Sequence, residues 1–276
     1  MMISILIPTK NEELNIEDCL RSVATYTDDV VVIDSYSTDN TRKIAENLGF
    51  KVVDFDYSGG WPKKKNWAIE NVNWKYEWIF ILDADERVSK ELWEELLSNI
   101  KADIHQEINS YSVRWEFYFM GKHLKYSWNG APMIRIFRKG YGQYENLGMT
   151  NEGGWDNEVH EHLIVPGKTK KLKRLLIHKS RSDLHFWLQK QNEFSTWNSV
   201  RRFRNIAIEN DKIRGRRLAK NIFLKLPLKP LIVWFYIYVL KRGFLDGRLG
   251  WHFAISRAIH EYNNNLKLLE LKLTKK

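Results

Sequence analysis

The sequence has little cysteine and proline and lacks repeats. Its 276 residues include one cysteine, Cys19, and six prolines. A single cysteine excludes a disulfide framework and a cysteine zinc site, so we expect a reducing compartment. The first residues lack the basic and long apolar regions of a signal peptide, which favours the cytoplasm. With neither an internal repeat nor a low-complexity linker, the length allows one large domain or a domain with an extension.

Acidic residues are scarce in the second part of the chain. Pro166–Lys276 contains 26 basic and 7 acidic residues, a net charge of +19. Met1–Val165 contains 18 basic and 27 acidic residues, a net charge of −9. A basic excess of this size is typical of contact with a polyanion: nucleic acid, an anionic membrane surface or a phosphorylated substrate. The alternative is a set of solvated helix faces.

Short apolar runs alternate with helical patterns in the first hundred residues. Ile3–Pro8, Val30–Asp34, Lys51–Phe55 and Trp78–Leu82 predict strands. Because these runs are apolar on both faces, they indicate a parallel sheet covered by helices on two sides. Helices are predicted over Leu14–Val23, Thr41–Leu48, Asn66–Val72 and Glu91–Ile100.

The pattern changes after residue 110. Tyr111–Phe119 alternates with a period of two, which predicts a longer strand that Met133–Arg138 could join. We therefore predict a sheet domain over 1–182, with halves 1–100 and 101–182, and a basic helical extension over 183–276. The helices of the extension are predicted over Asp183–Glu209, Gly215–Leu226, Leu231–Phe244 and Trp251–Lys272.

One stretch of the extension, Leu231–Leu240, is ten uninterrupted apolar residues. A helix that spans a bilayer needs about 20 such residues, so this one does not cross a membrane. Lysines such as Lys229 and Lys241 flank it, and an aromatic-rich apolar segment between basic residues suits a helix that lies in the membrane interface. A buried core helix is the alternative, and the basic excess favours the membrane.

Two carboxylates, Asp83 and Asp85, come directly after the predicted strand Trp78–Leu82. Residues i and i+2 of an extended segment point the same way, so both side chains project from the carboxyl end of the strand. Open parallel sheets bind ligands at that edge. Two such oxygen donors predict a site for Mg²⁺ or Mn²⁺ carrying a diphosphate, although solvated loops also contain such pairs.

Polar side chains also follow the other strands. Strand one runs into 8–12 (PTKNE) and strand two into 34–39 (DSYSTD), where a base and a ribose could be bound. Asp39 suits either helix capping or ligand contact. The run Lys63-Lys64-Lys65-Asn66 opens a predicted helix, where backbone amides, the helix dipole and ammonium groups favour phosphate; a solvated basic turn is the alternative.

These segments together resemble the family 2 glycosyltransferases, which have the GT-A fold and use nucleotide sugars. The residues that carry the resemblance are ISILIPTKNEE, VVVIDSYSTDNT, GGWPKKKNWAI and FILDADERVS, all in the first hundred residues. Within that family the chain looks most like the bacterial β-glucosyltransferases of the lipopolysaccharide inner core, to which VHE at 159–161, LIHKS at 176–180 and GFLDG at 243–247 also fit. Lys64-Lys65 departs from the glutamine and basic residue expected there.

The resemblance implies roles for the strand ends. Pro8, Thr9 and Glu12 would frame the base of a UDP-sugar, and Asp34 would hold the uridine. The implied fold is a mixed, mainly parallel α/β sheet between helices with a helical C-terminal extension.

It also implies how the diphosphate is held. Lys63 would lie near the donor diphosphate, Asp85 would bind Mg²⁺ or Mn²⁺ directly, and Asp83 would reach the ribose, or the metal through water. The metal would neutralise charge on the departing diphosphate. His178, after a strand-like run, could be a further metal or phosphate ligand.

The family inverts the sugar by a single displacement, which needs one carboxylate to take the acceptor proton. The family pattern indicates Glu161 as this base, with Glu158 and Asp156 in reserve. The neighbouring His160 and His162 suit simple surface residues.

The sequence therefore predicts an inverting hexosyltransferase that moves a hexose, glucose for preference, from a UDP-sugar to a lipopolysaccharide-core or other phosphorylated, lipid-linked glycan. We expect it in the cytoplasm, peripheral on the inner face of the cytoplasmic membrane. The alternatives are a nucleic-acid-binding protein that uses the basic, aromatic-rich C-terminal part and an inactive sugar-binding relative. The first leaves Asp83 and Asp85 unexplained, so we expect no nucleic acid as partner.

Overall fold

The chain divides into two compact units in a computed structural model. Unit 1 comprises Met1–Gly121 and Asn129–Arg181, and unit 2 comprises Lys122–Trp128 and Ser182–Lys276. The predicted domain limits at 182 and 183, and the division of the first domain at residue 100, stay predictions. The structure describes residues 2–103, 106–128, 130–146, 161–180, 183–204, 226 and 228–274.

Unit 1 is built on one mixed sheet with the strand order β3-β2-β1-β4-β8-β6-β11-β5. The strands β3, β2, β1 and β4 run parallel, β8 is antiparallel to both β4 and β6, and β11 runs parallel to β6. A separate antiparallel pair is formed by β9 and β10. The strands are β1 Ile3–Thr9, β2 Val30–Asp34, β3 Lys51–Asp54, β4 Trp78–Ile81, β5 Glu86–Arg87, β6 Ile108–Phe119, β8 Met133–Arg138, β9 Gln143–Tyr144, β10 Leu163–Ile164 and β11 Lys168–His178.

Both faces of this sheet are buried. Alternate residues of β1 enter different apolar clusters, with Ile5 and Ile7 in one and Leu6 in the other, as expected for a strand with helices on two sides. The first cluster includes residues of α1 and α4, and the second includes residues of α3. The helices of unit 1 are α1 Ile16–Val23, α2 Thr41–Asn47, α3 Lys64–Asn71 and α4 Lys90–Ala102.

The predicted α/β architecture is confirmed. The predicted strands of the first hundred residues form, and the alternating run becomes β6, which pairs with Met133–Arg138. The antiparallel insertion of β8 between β4 and β6 makes the sheet mixed. This insertion places Arg135 of β8 beside the end of β4.

Unit 2 is helical, with the short strand β7 (Lys122–His123). Asp183 caps α5 by accepting a hydrogen bond from Phe186 N at 2.9 Å. The apolar stretch 231–240 is helical as predicted, but its second half is a π-helical turn. The predicted helix 215–226 lies outside the described residues except at 226. The helices are α5 Leu184–Phe203, α6 Lys229–Phe235, the π turn Tyr236–Leu240, a 3₁₀ turn Gly243–Asp246 and α7 Gly247–Thr274.

Polar contacts hold the parts of unit 2 together. Arg202 of α5 donates to both carboxylate oxygens of Glu261 of α7, at 2.9 and 2.8 Å. Asp246 accepts hydrogen bonds from the backbone amides of Lys125, Tyr126 and Ser127, and so fixes the segment 122–128. Among the described helices, none combines the length and the apolar character needed to cross a membrane.

Candidate active site

The predicted site residues of strands one, two and four lie at one edge of the sheet in unit 1. Thr9 and Asp34 are register partners at the carboxyl ends of β1 and β2. Asp83 follows β4, which pairs with the other side of β1. Because parallel strands end together, three separate stretches of sequence meet at this edge.

Asp34 is buried and hydrogen-bonded within this edge. Its Oδ1 accepts from Thr9 Oγ1 at 2.8 Å and from Ser37 Oγ at 2.6 Å, and its Oδ2 accepts from Ser37 N at 2.7 Å. Asp34 is 1% exposed. It therefore braces the loops after β1 and β2, and its predicted contact with uridine stays a prediction.

The other predicted base-binding residues come from β1 and the loop after it. Pro8 is buried inside β1, as the register partner of Ile33. Glu12 lies past the strand, where its Oε2 accepts from Asn15 Nδ2 at 2.8 Å and its backbone amide donates to Thr41 Oγ1 at 2.7 Å. These contacts fix the shape of the loop, and the contact of Glu12 with a base stays a prediction.

Three consecutive lysines at the start of α3 are all buried, with 1–4% of each exposed. Each ammonium group contacts an oxygen of a different residue. Lys63 Nζ lies 2.6 Å from Glu161 Oε1. Lys64 Nζ donates to the carbonyl of Thr9, and Lys65 Nζ lies 3.0 Å from Asp83 Oδ1. Burying three cations is costly unless each has a partner. The run KKK is thus buried at this edge of the sheet, and the alternative of a solvated basic turn is wrong.

The next residue, Asn66, fastens this helix to β9. Its Nδ2 donates to Tyr144 O at 3.1 Å and its Oδ1 accepts from Tyr144 N at 2.8 Å. A side-chain amide can satisfy both backbone groups of one residue because it has a donor and an acceptor side by side. Asn66 therefore helps to fix the start of α3 and its lysines.

Asp83 lies between two cations. Arg135 Nη2 lies 2.7 Å from its Oδ2, and Lys65 lies on the side of its Oδ1. Burial opposes ionisation of this carboxyl, but the charges of Arg135 and Lys65 hold its pKa well below the ordinary value of aspartate. Asp83 is thus an anion whose charge is compensated by protein groups.

Glu86 and Arg135 form the support beneath Asp83, and sequence reasoning missed both. Glu86 is 0% exposed; it accepts from Arg135 Nη2 at 2.9 Å and from Trp115 Nε1 at 2.5 Å, and its Oε2 accepts from Asp83 N at 2.9 Å. Burial raises the pKa of Glu86 to about 7, against the opposing charge of Arg135. The guanidinium also lies over the Trp115 ring, 5.4 Å from its centroid.

Asp85 has a different neighbour, His178 at the end of β11. His178 Nε2 lies 3.4 Å from Asp85 Oδ2, and the imidazole stacks on Phe117 with ring centroids 5.5 Å apart. Within the described part of the chain, His178 Nδ1 is buried without a hydrogen-bond partner. Two adjacent ligands of one Mg²⁺ stand about 3 Å apart, because each bond is about 2.0–2.1 Å long. The donors and their separation therefore fit a divalent cation.

Glu161 is the described member of the predicted base segment, and it reaches the site. Its side chain is 2% exposed and that of Lys63 is 4% exposed, so the two form a buried ion pair. Two predicted functional groups from positions 98 residues apart are thus in direct contact. The reserve carboxylates Asp156 and Glu158, and His160, lie outside the described residues.

His162 matches the prediction of a surface histidine. Its side chain is 74% exposed, and its Nδ1 lies 2.8 Å from Glu145 Oε1. Across the described residues, no group of three or more His, Cys, Asp or Glu side chains could by itself hold a metal ion. A metal at Asp85 and His178 would therefore need further ligands from substrate and water.

Comparison with known proteins identifies the family of the chain. A model described as glycosyl transferase family 2 matches residues 4–154, more than half of the chain. The chain belongs to that family and is a glycosyltransferase, and the GT-A fold expected from the sequence is confirmed.

Relatives match over almost the whole chain. An uncharacterized glycosyltransferase of Rickettsia typhi is 27% identical over 277 residues, which cover 98% of this chain and 88% of the relative. The lipopolysaccharide core biosynthesis glycosyltransferase LpsC of Rhizobium meliloti is 25% identical over 275 residues, which cover 97% of this chain and 92% of LpsC. Among solved structures, that of S. aureus TarS 1-349 aligns with 100% of this chain, and the alignment includes 92% of the TarS chain. The sequence identity is 17% and the TM-score is 0.45.

Proposed function

We propose that the chain transfers a hexose, glucose for preference, from a UDP-sugar to a lipopolysaccharide-core or similar phosphorylated, lipid-linked glycan, with inversion at the anomeric carbon. The observation that carries the proposal is the convergence, at one sheet edge, of a buried lysine cluster, the Asp85–His178 pair and Glu161. This set offers cations for a diphosphate, donors for a metal and a carboxylate for an acceptor hydroxyl.

Asp85 Oδ2 and His178 Nε2 would hold the Mg²⁺ or Mn²⁺. When bound, the cation neutralises the charge that grows on the departing diphosphate. Asp83, which the sequence placed at the metal or the ribose, already has Arg135 and Lys65 on its two oxygens. We therefore assign Asp83 to the ribose, or to the metal through water, and Asp85 to direct binding.

Glu161 is the proposed general base. Its carboxylate takes the proton of the acceptor hydroxyl while that oxygen bonds to the anomeric carbon and the bond from this carbon to the diphosphate oxygen breaks. In the structure, Lys63 Nζ lies 2.6 Å from Glu161 Oε1 and occupies that oxygen. A diphosphate carries more charge than Glu161 and competes for Lys63, so donor binding would draw Lys63 away from Glu161 Oε1 and let the acceptor hydroxyl approach that oxygen.

The acceptor is inferred from two observations. The relative LpsC is named for lipopolysaccharide core biosynthesis, and Pro166–Lys276 has a net charge of +19. Inner-core glycans and the membrane that holds them are anionic, and a basic surface favours both.

The metal assignment predicts a loss of Mn²⁺-dependent donor binding. In titration calorimetry, Asp85→Asn and His178→Gln should each weaken binding of UDP in Mn²⁺ more than ~10-fold, and should change binding in EDTA little. Asp28→Asn, which alters an exposed carboxylate, serves as the control. If both variants keep the Mn²⁺ dependence of the unaltered chain, the metal is held elsewhere. The same assay with GDP and dTDP tests the base.

The membrane assignment concerns the exposed side of α6 and the π turn. Leu231 and Leu240 are 60% and 63% exposed. We expect the protein to float with vesicles that contain phosphatidylglycerol and not with phosphatidylcholine alone, because Lys229 and Lys241 would meet the lipid phosphates. Leu231→Glu/Leu240→Glu should abolish flotation, whereas Met120→Glu, at an exposed apolar residue of unit 1, should not. Flotation unchanged in the double variant would rule out this surface.

A further inference from the structure

The last half of α7 has its polar residues packed inside and its apolar residues outside. His260, Glu261 and Asn264 are buried at 2–7% exposure. They and Lys267 contact α5: His260 lies 3.4 Å from Asn198, Glu261 pairs with Arg202, Asn264 O accepts from Ser199 Oγ, and Lys267 donates to Asn192. This is the reverse of an ordinary surface helix, whose apolar stripe faces the core.

The apolar residues form a regular stripe on the opposite side. At about 100° per residue, the stripe is centred about 180° away from the residues that face α5. Its members are separated by 3, 4, 3 and 4 positions, and each is more than half exposed: Ile259 53%, Tyr262 56%, Leu266 52%, Leu269 52% and Leu273 65%. We call these five residues the α7 stripe.

The spacing of the α7 stripe indicates what covers it. Alternate steps of three and four are the a and d positions of a heptad repeat, which pack against another helix that carries the same pattern. From Ile259 to Leu273 the stripe is about 21 Å long at about 1.5 Å per residue. α7 is already ordered by its packing on α5 and α6, so binding of a partner helix would not include the entropic cost of forming it.

The residues beside the α7 stripe argue against a lipid surface. Its edges carry Asn263 and Glu270 on one side and Asn265 and Lys272 on the other, which gives no net charge. A helix that binds anionic lipid has basic residues along its edges, as the segment around α6 does with Lys229, Lys241 and Arg242. The two exposed apolar surfaces of unit 2 thus differ in chemistry.

We propose that the α7 stripe is the interface of a homodimer, in which it packs in register and parallel against the α7 stripe of a second copy. A two-fold axis parallel to the helices places each residue of the stripe opposite the same residue of the second copy. The interface then consists of five apolar pairs, and every residue of the stripe has an apolar partner. Position g of one helix faces position e of the next heptad in its partner, which places Asn265 opposite Glu270 and brings no like charges together. Two heptads form a small interface, so the dimer is reversible.

Sedimentation velocity over a dilution series tests the proposal. The unaltered chain should show a concentration-dependent monomer–dimer equilibrium, and Leu266→Glu/Leu269→Glu should weaken dimerisation at least ~100-fold. Both leucines are half exposed, so the variants should keep their folds, which circular dichroism checks. Leu245→Glu, at a 52% exposed leucine outside the stripe, is the matched control and should dimerise normally.

Cross-linking gives a second, independent readout. Leu269→Cys should form a disulfide-linked dimer on mild oxidation, and Leu245→Cys should not. The native Cys19 should not interfere, because burial raises the pKa of its thiol and keeps it unreactive. A dimer that survives Leu266→Glu/Leu269→Glu would overturn the proposal.

A protein that is monomeric at every concentration would also overturn the homodimer proposal. The thiol introduced by Leu269→Cys would then show what contacts the α7 stripe instead. If this thiol does not react with maleimide, another segment of the same chain lies on the stripe. If it reacts, and Leu266→Glu/Leu269→Glu loses flotation with phosphatidylglycerol vesicles, the stripe contacts lipid.

Discussion

Glu161→Gln is expected to lower kcat about 10³-fold, with the KM for the sugar donor unchanged or lower. Glutamine keeps the size of the side chain and removes its ability to accept a proton, so the loss appears in the chemical step. It also removes the anion that competes with the diphosphate for Lys63. The measurement is release of UDP from UDP-glucose with an inner-core glycan acceptor, at saturating substrate.

An exposed glutamate provides the control for Glu161→Gln. Glu17→Gln, in an exposed ion pair on α1, should leave kcat within about two-fold, since surface pairs contribute little. If Glu161→Gln keeps a tenth or more of the activity, Glu161 is not the base, and Asp156→Asn and Glu158→Gln become the next variants to measure. A calorimetric titration with UDP separates loss of binding from loss of chemistry.

Lys63→Met tests the proposed exchange of partners from the other side. The KM for the donor should rise, because the diphosphate loses an ammonium group, while kcat should change little, because Glu161 still takes the acceptor proton in the ternary complex. If Lys63 only supported the structure of α3, kcat would instead fall and KM would rise in step with a loss of stability. The two variants thus separate the roles of the two members of one ion pair.

The parts of the site that follow buried strands could be predicted from the sequence. The strand ends at Thr9, Asp34 and Asp83 are set by a local rule, since apolar runs predict the strands and parallel strands end at one edge. Burial of the run 63–65 was not predicted. Three adjacent lysines resemble a solvated turn, and only the positions of Thr9, Asp83 and Glu161 in space explain why each is buried.

Arg135 and Glu86 were missed for a related reason. Arg135 lies between Ile134 and Ile136 in a run that predicts a strand, and an arginine in such a run is a signal of a buried carboxylate partner. The identity of that partner depends on β8 lying beside β4, which is a non-local antiparallel pairing. Glu86 follows Asp85 directly in the sequence, yet its side chain is buried beneath the turn while that of Asp85 reaches His178.

Removal of the Arg135 guanidinium is expected to give the largest loss of stability in unit 1. Arg135→Met should lower the free energy of unfolding by about 3–5 kcal/mol, because it leaves Glu86 buried without its cation and Asp83 with Lys65 as its remaining cation in this network. Urea denaturation in EDTA measures this loss. Arg21→Met, which breaks an exposed pair with Glu17, should cost less than about 1 kcal/mol.

A second substitution distinguishes the lost charge from lost packing. Without Arg135 the buried Glu86 carboxyl must take up a proton on folding at neutral pH, because the charge that opposed the effect of burial on its pKa is gone. Arg135→Met/Glu86→Gln removes that carboxyl, so about 1–3 kcal/mol should be recovered relative to Arg135→Met alone. If the guanidinium acted mainly by filling space over Trp115, methionine would replace it and the single variant would match Arg21→Met in stability. If the double variant is as unstable as the sum of its parts, Arg135 and Glu86 are not coupled. Coupling would show that the turn carrying Asp83 and Asp85 is held from below by one buried ion pair, which positions both carboxylates before any ligand binds.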